Sequence, residues 1–195
     1  MIKKAIALVI GGLLVSGFAV AADTDQCDQC HGANGNSTDG KVPSIAGMSA
    51  AYIGDTLASY AAGDRPAAKY TPAGGSESDM QTVAKGLSEA DIGAVAAHYA
   101  GQTYQPREQA GDPALMAAGK SVFQKRCEKC HSDSGSVAED DAGLLLGQGK
   151  EYLQAQIDAF TSGARYMPKK MKKAFKKISD DDKKAIVEYL AGGKI

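Results

Sequence analysis

The sequence predicts an all-α protein built from two tandem units. Three observations carry this reading. Helix-opening serines stand ahead of apolar-periodic segments at Ser49, Ser88 and Ser179. Stretches of apolar–polar alternation long enough for strands are missing. Marked residues of the first half return in the second at a fixed offset. The 195 residues are 44% hydrophobic and 23% charged, the balance of a globular chain. A net charge of −1 excludes a whole-chain nucleic-acid footprint, which needs a clear basic excess. With no Trp and 4 Phe, the side chains alone fill two small cores poorly, so a non-protein group is expected to help.

Residues 1–22 read as an export signal. Lys3 and Lys4 form the positive start, an apolar run follows from Ala5, and small residues ending in Ala21-Ala22 supply the cleavage pattern. Cleavage predicts a periplasmic protein. Left uncleaved, the segment would be a short membrane tether, the only route to membrane association.

The first unit is expected over residues 23–104, a linker over 105–111 and the second unit over 112–195. Cys27-Asp28-Gln29-Cys30-His31 recurs as Cys127-Glu128-Lys129-Cys130-His131, an offset of 100. Tyr52 matches Tyr152, Tyr60 matches Phe160, and Arg65 matches Arg165 at that offset. It then shifts to 91, pairing Met80 with Met171, Ser88 with Ser179 and Asp91 with Asp182. One loop insertion within 66–79 of the first unit accounts for the shift. Helices are expected from Ala50 to Ala62, from Ser88 to about Ala100, from Pro113 to Arg126 and from Ser179 to about Ala191. The Ser-x-x-Asp openings at Ser88 and Ser179 give the helix N-terminus a hydroxyl acceptor and a carboxylate.

A C-x-x-C-H run is the attachment signal for haem c. The two thiols form thioethers to one haem, and the adjacent imidazole becomes an axial ligand of its iron. Two such runs predict two haem c, held through Cys27 and Cys30 and through Cys127 and Cys130, with His31 and His131 on the irons. A zinc site built from the pairs leaves both histidines without a role. Two disulfides suit an exported chain but do not explain the repeated His. A thioredoxin-like redox pair wants a βαβ context that the pattern lacks.

Each iron then has a sixth position. Of the candidate donors, only Met80 and Met171 fall at equivalent places in the two copies, each eight residues before a helix-opening Ser. Met167, four residues earlier, is the rival to Met171. The counterpart of Met48 is Gln148, so Met48 reads as packing, and the counterpart of His98 is Tyr189. Iron with His and Met ligands has no easy seat for a substrate, and soft sulfur favours Fe(II), which argues for one-electron transfer rather than catalysis by this chain.

With these residues in place, nearly the whole mature chain resembles tandem class I cytochromes c of the dihaem c4 type. In the segments Gln102–Pro106, Cys127–His131 and Met167–Met171 it also resembles the cytochrome subunit of flavocytochrome c sulfide dehydrogenase. The resemblance implies His/Met ligation, haems close enough to exchange electrons and a redox protein as partner, a flavoprotein sulfide dehydrogenase subunit among the candidates. It also implies a backbone carbonyl orienting each axial imidazole. Pro43 fits that place in copy one. In copy two Gly143 stands there, with a backbone carbonyl still available, so ligation is not threatened.

The copies differ in charge. Residues 23–110 carry 5 basic and 11 acidic side chains, and residues 111–195 carry 15 and 12. Lys169, Lys170, Lys172, Lys173, Lys176 and Lys177 crowd the second Met. They read either as a solvated face or as a docking surface for an acidic redox protein. Three functions stay open: the electron-accepting subunit of a flavocytochrome c sulfide dehydrogenase, a free dihaem shuttle to a terminal oxidase, and a dihaem peroxidase or thiosulfate-oxidising enzyme.

Overall fold

The computed structural model describes residues 24–194, and the export signal read at 1–22 lies outside the described residues. The first unit contains α1 (Asp25–His31), α2 (Ala50–Ala62), α3 (Met80–Lys85) and α4 (Glu89–Ala100). The second contains α5 (Pro113–Arg126), a distorted turn α6 (Ser132–Gly135), α7 (Lys150–Ser162), α8 (Lys169–Phe175) and α9 (Asp180–Gly192). Among the described residues the only β pairing is two isolated bridges, Tyr70 with Ser78 and Glu139 with Ala142.

The expected caps form. Ser49 Oγ accepts from the Tyr52 N–H. Ser88 with Asp91 and Ser179 with Asp182 close reciprocal capping boxes on α4 and α9. Pro113 sits in the first turn of α5, whose opening N–H groups are taken by Asp112. Each cap satisfies donors that have no partner within the helix.

In the first unit α2 packs against α3 and α4, burying Ile53, Leu57, Tyr60, Val95 and Tyr99. In the second α9 packs against α5 and α7 around Phe123, Leu153, Ile186 and Leu190. The α5–α9 crossing requires Gly119, because a Cβ there would lie 2.0 Å from the Ala185 carbonyl oxygen.

The two units share a seam. Leu144 of the second unit lies in the core of the first. Gln148, fully buried, closes an amide pair on Ser44: its Oε1 accepts from the Ser44 N–H at 2.9 Å and its Nε2 donates to the Ser44 carbonyl at 2.9 Å. The Tyr152 N–H donates to the Gly40 carbonyl at 2.8 Å. The connecting segment, read from sequence as a linker, is a strap held at both ends. Asn36 donates to the Thr103 carbonyl and accepts from the Gln105 N–H, while Tyr104 Oη donates to the Leu146 carbonyl at 2.8 Å. Gln109 Nε2 donates to the Gln148 carbonyl and Gln109 Oε1 accepts from the Lys150 N–H.

Replacing Gln148 with Ala leaves a buried N–H and a buried carbonyl of Ser44 unpaired. The expected loss is about 2–4 kcal/mol of unfolding free energy, measured by guanidinium titration of the haem-loaded protein.

Candidate functional site

In the first unit, the helix α1 presents Cys27, Cys30 and His31 to a cavity of about 480 Å³ whose wall also includes Met48, Tyr52, Arg65 and Met80. Met80 is the first residue of α3, fixed there by the Asp79 side chain, which accepts from the Thr82 N–H at 2.8 Å. Met48 is buried in the core as well as lining the cavity, in keeping with packing. His31 is buried and its Nδ1 lies 2.8 Å from the Pro43 carbonyl oxygen, which leaves Nε2 as the nitrogen available for a metal. Burial pushes the His31 pKa down, the Pro43 contact opposing it, so the neutral ring that can bind iron is favoured. No disulfide joins the four cysteines.

The loop after His31 is built on Gly32 at φ +77° and Asn34 at φ +54°. Asp28 accepts from the Asn34 and Gly35 N–H groups and from Tyr99 Oη, tying α1 to α4.

The second unit keeps the residue types and loses part of this frame. Residues Cys127–Cys130 form turns rather than a helix. Ser132 stands where Gly32 turns the chain, and that left-handed turn moves on to Asp133 at φ +47°, while Ser134 at φ +65° keeps the left-handed backbone of Asn34. The carbonyl expected near Gly143 does not accept from the imidazole: His131 Nδ1 is buried with no hydrogen-bond partner. The carbonyl near Gly143 thus does not orient His131 as that of Pro43 orients His31, and in this copy the left-handed turn stands one residue later in the chain. Glu128 takes the place of Asp28 and accepts from the Ser134 N–H, but its Oε2 is buried without a donor. The hydroxyl is missing because Leu190 stands where Tyr99 does. Burial also lowers the His131 pKa, against the pull of Asp141. Met171 lies within α8 and Met167 just ahead of it, both half-buried.

Between the two sites lies a cluster that the sequence reading listed as repeat matches without giving it a role. Arg65 donates to Tyr152 Oη at 3.1 Å and to Gln156 Oε1 at 3.4 Å, and Arg165 donates to the same Gln156 oxygen at 2.7 Å. Each guanidinium stacks on the ring its own unit supplies, Arg65 on Tyr60 at 4.9 Å and Arg165 on Phe160 at 4.4 Å. Among the described residues neither forms an ion pair with a carboxylate. Burial and the like charge of Arg65 both act against the charge on Arg165, yet a guanidinium stays protonated in proteins. Arg65 Nε is buried and unpaired. Two cations at one seam, with donors left over, ask for anions from outside the chain. The carboxylates of two haem propionate groups fit that demand, and the thiols, imidazole and thioether around the first cavity fit the iron and the vinyl positions. The signal in the sequence was Arg–Arg equivalence beside Tyr52 and Tyr152.

Comparison with known proteins agrees with this geometry. A family model described as cytochrome c matches residues 15–100, and one described as cytochrome c oxidase, cbb3-type, subunit III matches residues 114–190. A cytochrome c4 from Stutzerimonas stutzeri is 30% identical over 179 residues, 85% of this chain and 83% of that protein. A thiosulfate dehydrogenase electron acceptor from Thiomonas intermedia is 28% identical, over 75% of this chain and 68% of its own length. The crystal structure of reduced recombinant cytochrome c4 from Pseudomonas stutzeri superposes with a TM-score of 0.70 at 27% identity, over 87% of this chain and 94% of that one.

Arg65→Gln removes a buried positive charge from the wall of the first cavity. The midpoint potential of the first haem is expected to fall, on the order of tens of millivolts, because the ferric state is no longer penalised by that charge. Potentiometric titration reads the shift, and Arg65→Lys is expected to fall less.

Proposed function

The chain belongs to the cytochrome c4 family of dihaem class I cytochromes c, and on that premise we propose how its residues hold the cofactors and whom it serves. Its two cytochrome c domains carry two haem c, and it transfers electrons. The haems supply one-electron exchange between Fe(III) and Fe(II). Cys27 and Cys30 tether the first and Cys127 and Cys130 the second. His31 with Met80 would hold the first iron, and His131 with Met171 the second. Met171 is preferred over Met167 because the capping boxes at Ser88 and Ser179 place Met80 and Met171 at the same distance from the following helix. Filled coordination leaves no open position for peroxide or thiosulfate, so the enzyme reading falls behind the carrier reading.

The partner we propose is a periplasmic dehydrogenase that oxidises a reduced sulfur compound, with this chain accepting the electrons. The observation that carries this is the likeness to thiosulfate dehydrogenase electron acceptors over three quarters of the chain. Periplasmic residence fits the signal pattern at 1–22. Among the described residues no helix is long and apolar enough to cross a membrane. A second reading, the subunit of a flavoprotein sulfide dehydrogenase, draws support from Gln102–Pro106, the strap segment that locks the two units together.

Met80→Ala and Met171→Ala are each expected to remove about half of the weak red charge-transfer band of the oxidised protein, with Met167→Ala leaving it intact. Loss of the band in Met167→Ala instead would transfer the ligand role. For the partner, tagged holoprotein is used to capture proteins from periplasmic extract. Reduction of the haem bands when thiosulfate is added to the captured fraction supports the first reading. Reduction by sulfide through a captured flavoprotein supports the second. No reduction by either compound counts against both.

A further inference from the structure

The two units surround their distal methionines with opposite chemistry. On the second unit, α8 carries Lys169, Lys170, Lys172 and Lys173, and Lys176 and Lys177 follow directly. All six are exposed. None of them belongs to an ion pair among the described residues, whereas Lys69, Lys150, Lys183 and Lys184 all have acidic partners. Six uncompensated charges within nine residues repel one another. Lys169 and Lys170 also sit at the positive end of their helix, where a cation is disfavoured. A face kept only for solubility has no need of this arrangement, since mixed signs serve solubility at no such cost.

The cover over this face is also missing. In the first unit residues 66–79 fold back through the Tyr70–Ser78 bridge, and Tyr70 Oη donates to Asp39 at 2.9 Å. Pro66, Ala67, Tyr70 and Asp79 thereby wall the first cavity. The second unit has only five residues between Arg165 and Met171. At their head Tyr166 stands 72% exposed, well above the other exposed large hydrophobic side chains, Leu115 and Val137. An aromatic ring in water, next to a rim of flexible cations, is the composition of a protein-docking patch.

We propose that the Tyr166–Lys177 face is where this chain docks its redox partner, a protein with an acidic surface, and that electrons pass between the two proteins through the second unit. Tyr166 is the contact at the centre and the lysines steer the encounter. The proposal rests on the electron-carrier reading and says nothing of which dehydrogenase is involved. The first unit has no such run of lysines beside Met80: Asp79 caps the helix there and Glu77 is already paired with Lys69, so the same partner finds no attracting face on it.

The test uses the haem-loaded protein in its ferrous form, with acidic plant plastocyanin as the probe. One electron leaves the reduced chain for Cu(II), giving ferric haem and Cu(I), followed by stopped-flow absorbance. The Lys172→Glu/Lys173→Glu variant is expected to lower the second-order rate constant about tenfold or more at low salt, the difference closing as salt rises. Lys120→Glu/Lys125→Glu on α5 changes the net charge by the same amount and is expected to stay within about twofold of the parent. Tyr166→Ser is expected to slow the reaction about threefold at every salt concentration. Unchanged redox spectra in all variants confirm intact haem sites. Equal slowing by the two double variants, or none at low salt, overturns the proposal. Failure of the sulfur-dehydrogenase reading leaves this result untouched, because plastocyanin is not its partner.

Discussion

The arginines at the seam constrain the rest of the structure. Arg65 is buried, Arg165 lies beside it, and both reach a single amide oxygen on Gln156. Taking a charge out of water costs several kcal/mol unless something answers it. Phenol oxygens and an amide supply dipoles but no negative charge. Haem propionates are anions that would arrive with the cofactor, and Arg65 and Arg165 are the residues placed to receive them. A chain so poor in Trp and Phe is intelligible on the same terms. A porphyrin would supply apolar bulk to each unit, and its carboxylates would answer the charge of the seam arginines.

The two copies share their Cys, His and Met residues but not the surroundings of those residues. His31 is buttressed by Pro43 and the α1–α4 tie through Asp28 and Tyr99. Its counterpart lost the glycine that turns the chain and the hydroxyl that would complete Glu128. An imidazole that donates to a carbonyl is a more basic ligand than one that does not. The two histidines thus sit in unequal frames even though the Cys, His and Met residues are repeated.

What the sequence made legible was whatever depends on local spacing. The helices at 50–62 and 113–126, the capping serines and the two C-x-x-C-H runs all follow from residues within a few positions of one another. The Asn34 and Gly32 turn was half legible, since Gly32 and Ser132 differ openly, but its effect on His131 depends on where a carbonyl twelve residues away ends up. The linker was legible only as a connector. Gly101, Pro106 and the polar residues between them suit a joining segment, and composition reports no more than that. Asn36, Leu146, Gln148 and Lys150 are what pin it, and nothing local to 101–112 announces them. The Arg65–Gln156–Arg165 cluster is non-local in the same way: the repeat alignment marked both arginines, but only the folded seam brings them together.

That pinned seam bears on why charge is distributed so unevenly. With Gln148 paired to Ser44 and Leu144 seated in the neighbouring core, the two units hold a fixed relation to each other. Electron exchange between them needs no encounter, and so no steering. Exchange with another protein does, because two specific patches must meet by diffusion, and surface charge accelerates that step most. Steering is useful only where an iron can be approached from solvent. The basic residues concentrate at the second methionine, beside the short uncovered loop, while the first unit bears the acidic excess and a folded hairpin over its cavity. The asymmetry fits docking at the second unit, with the first unit's cavity walled by its longer loop and the paired seam joining the two.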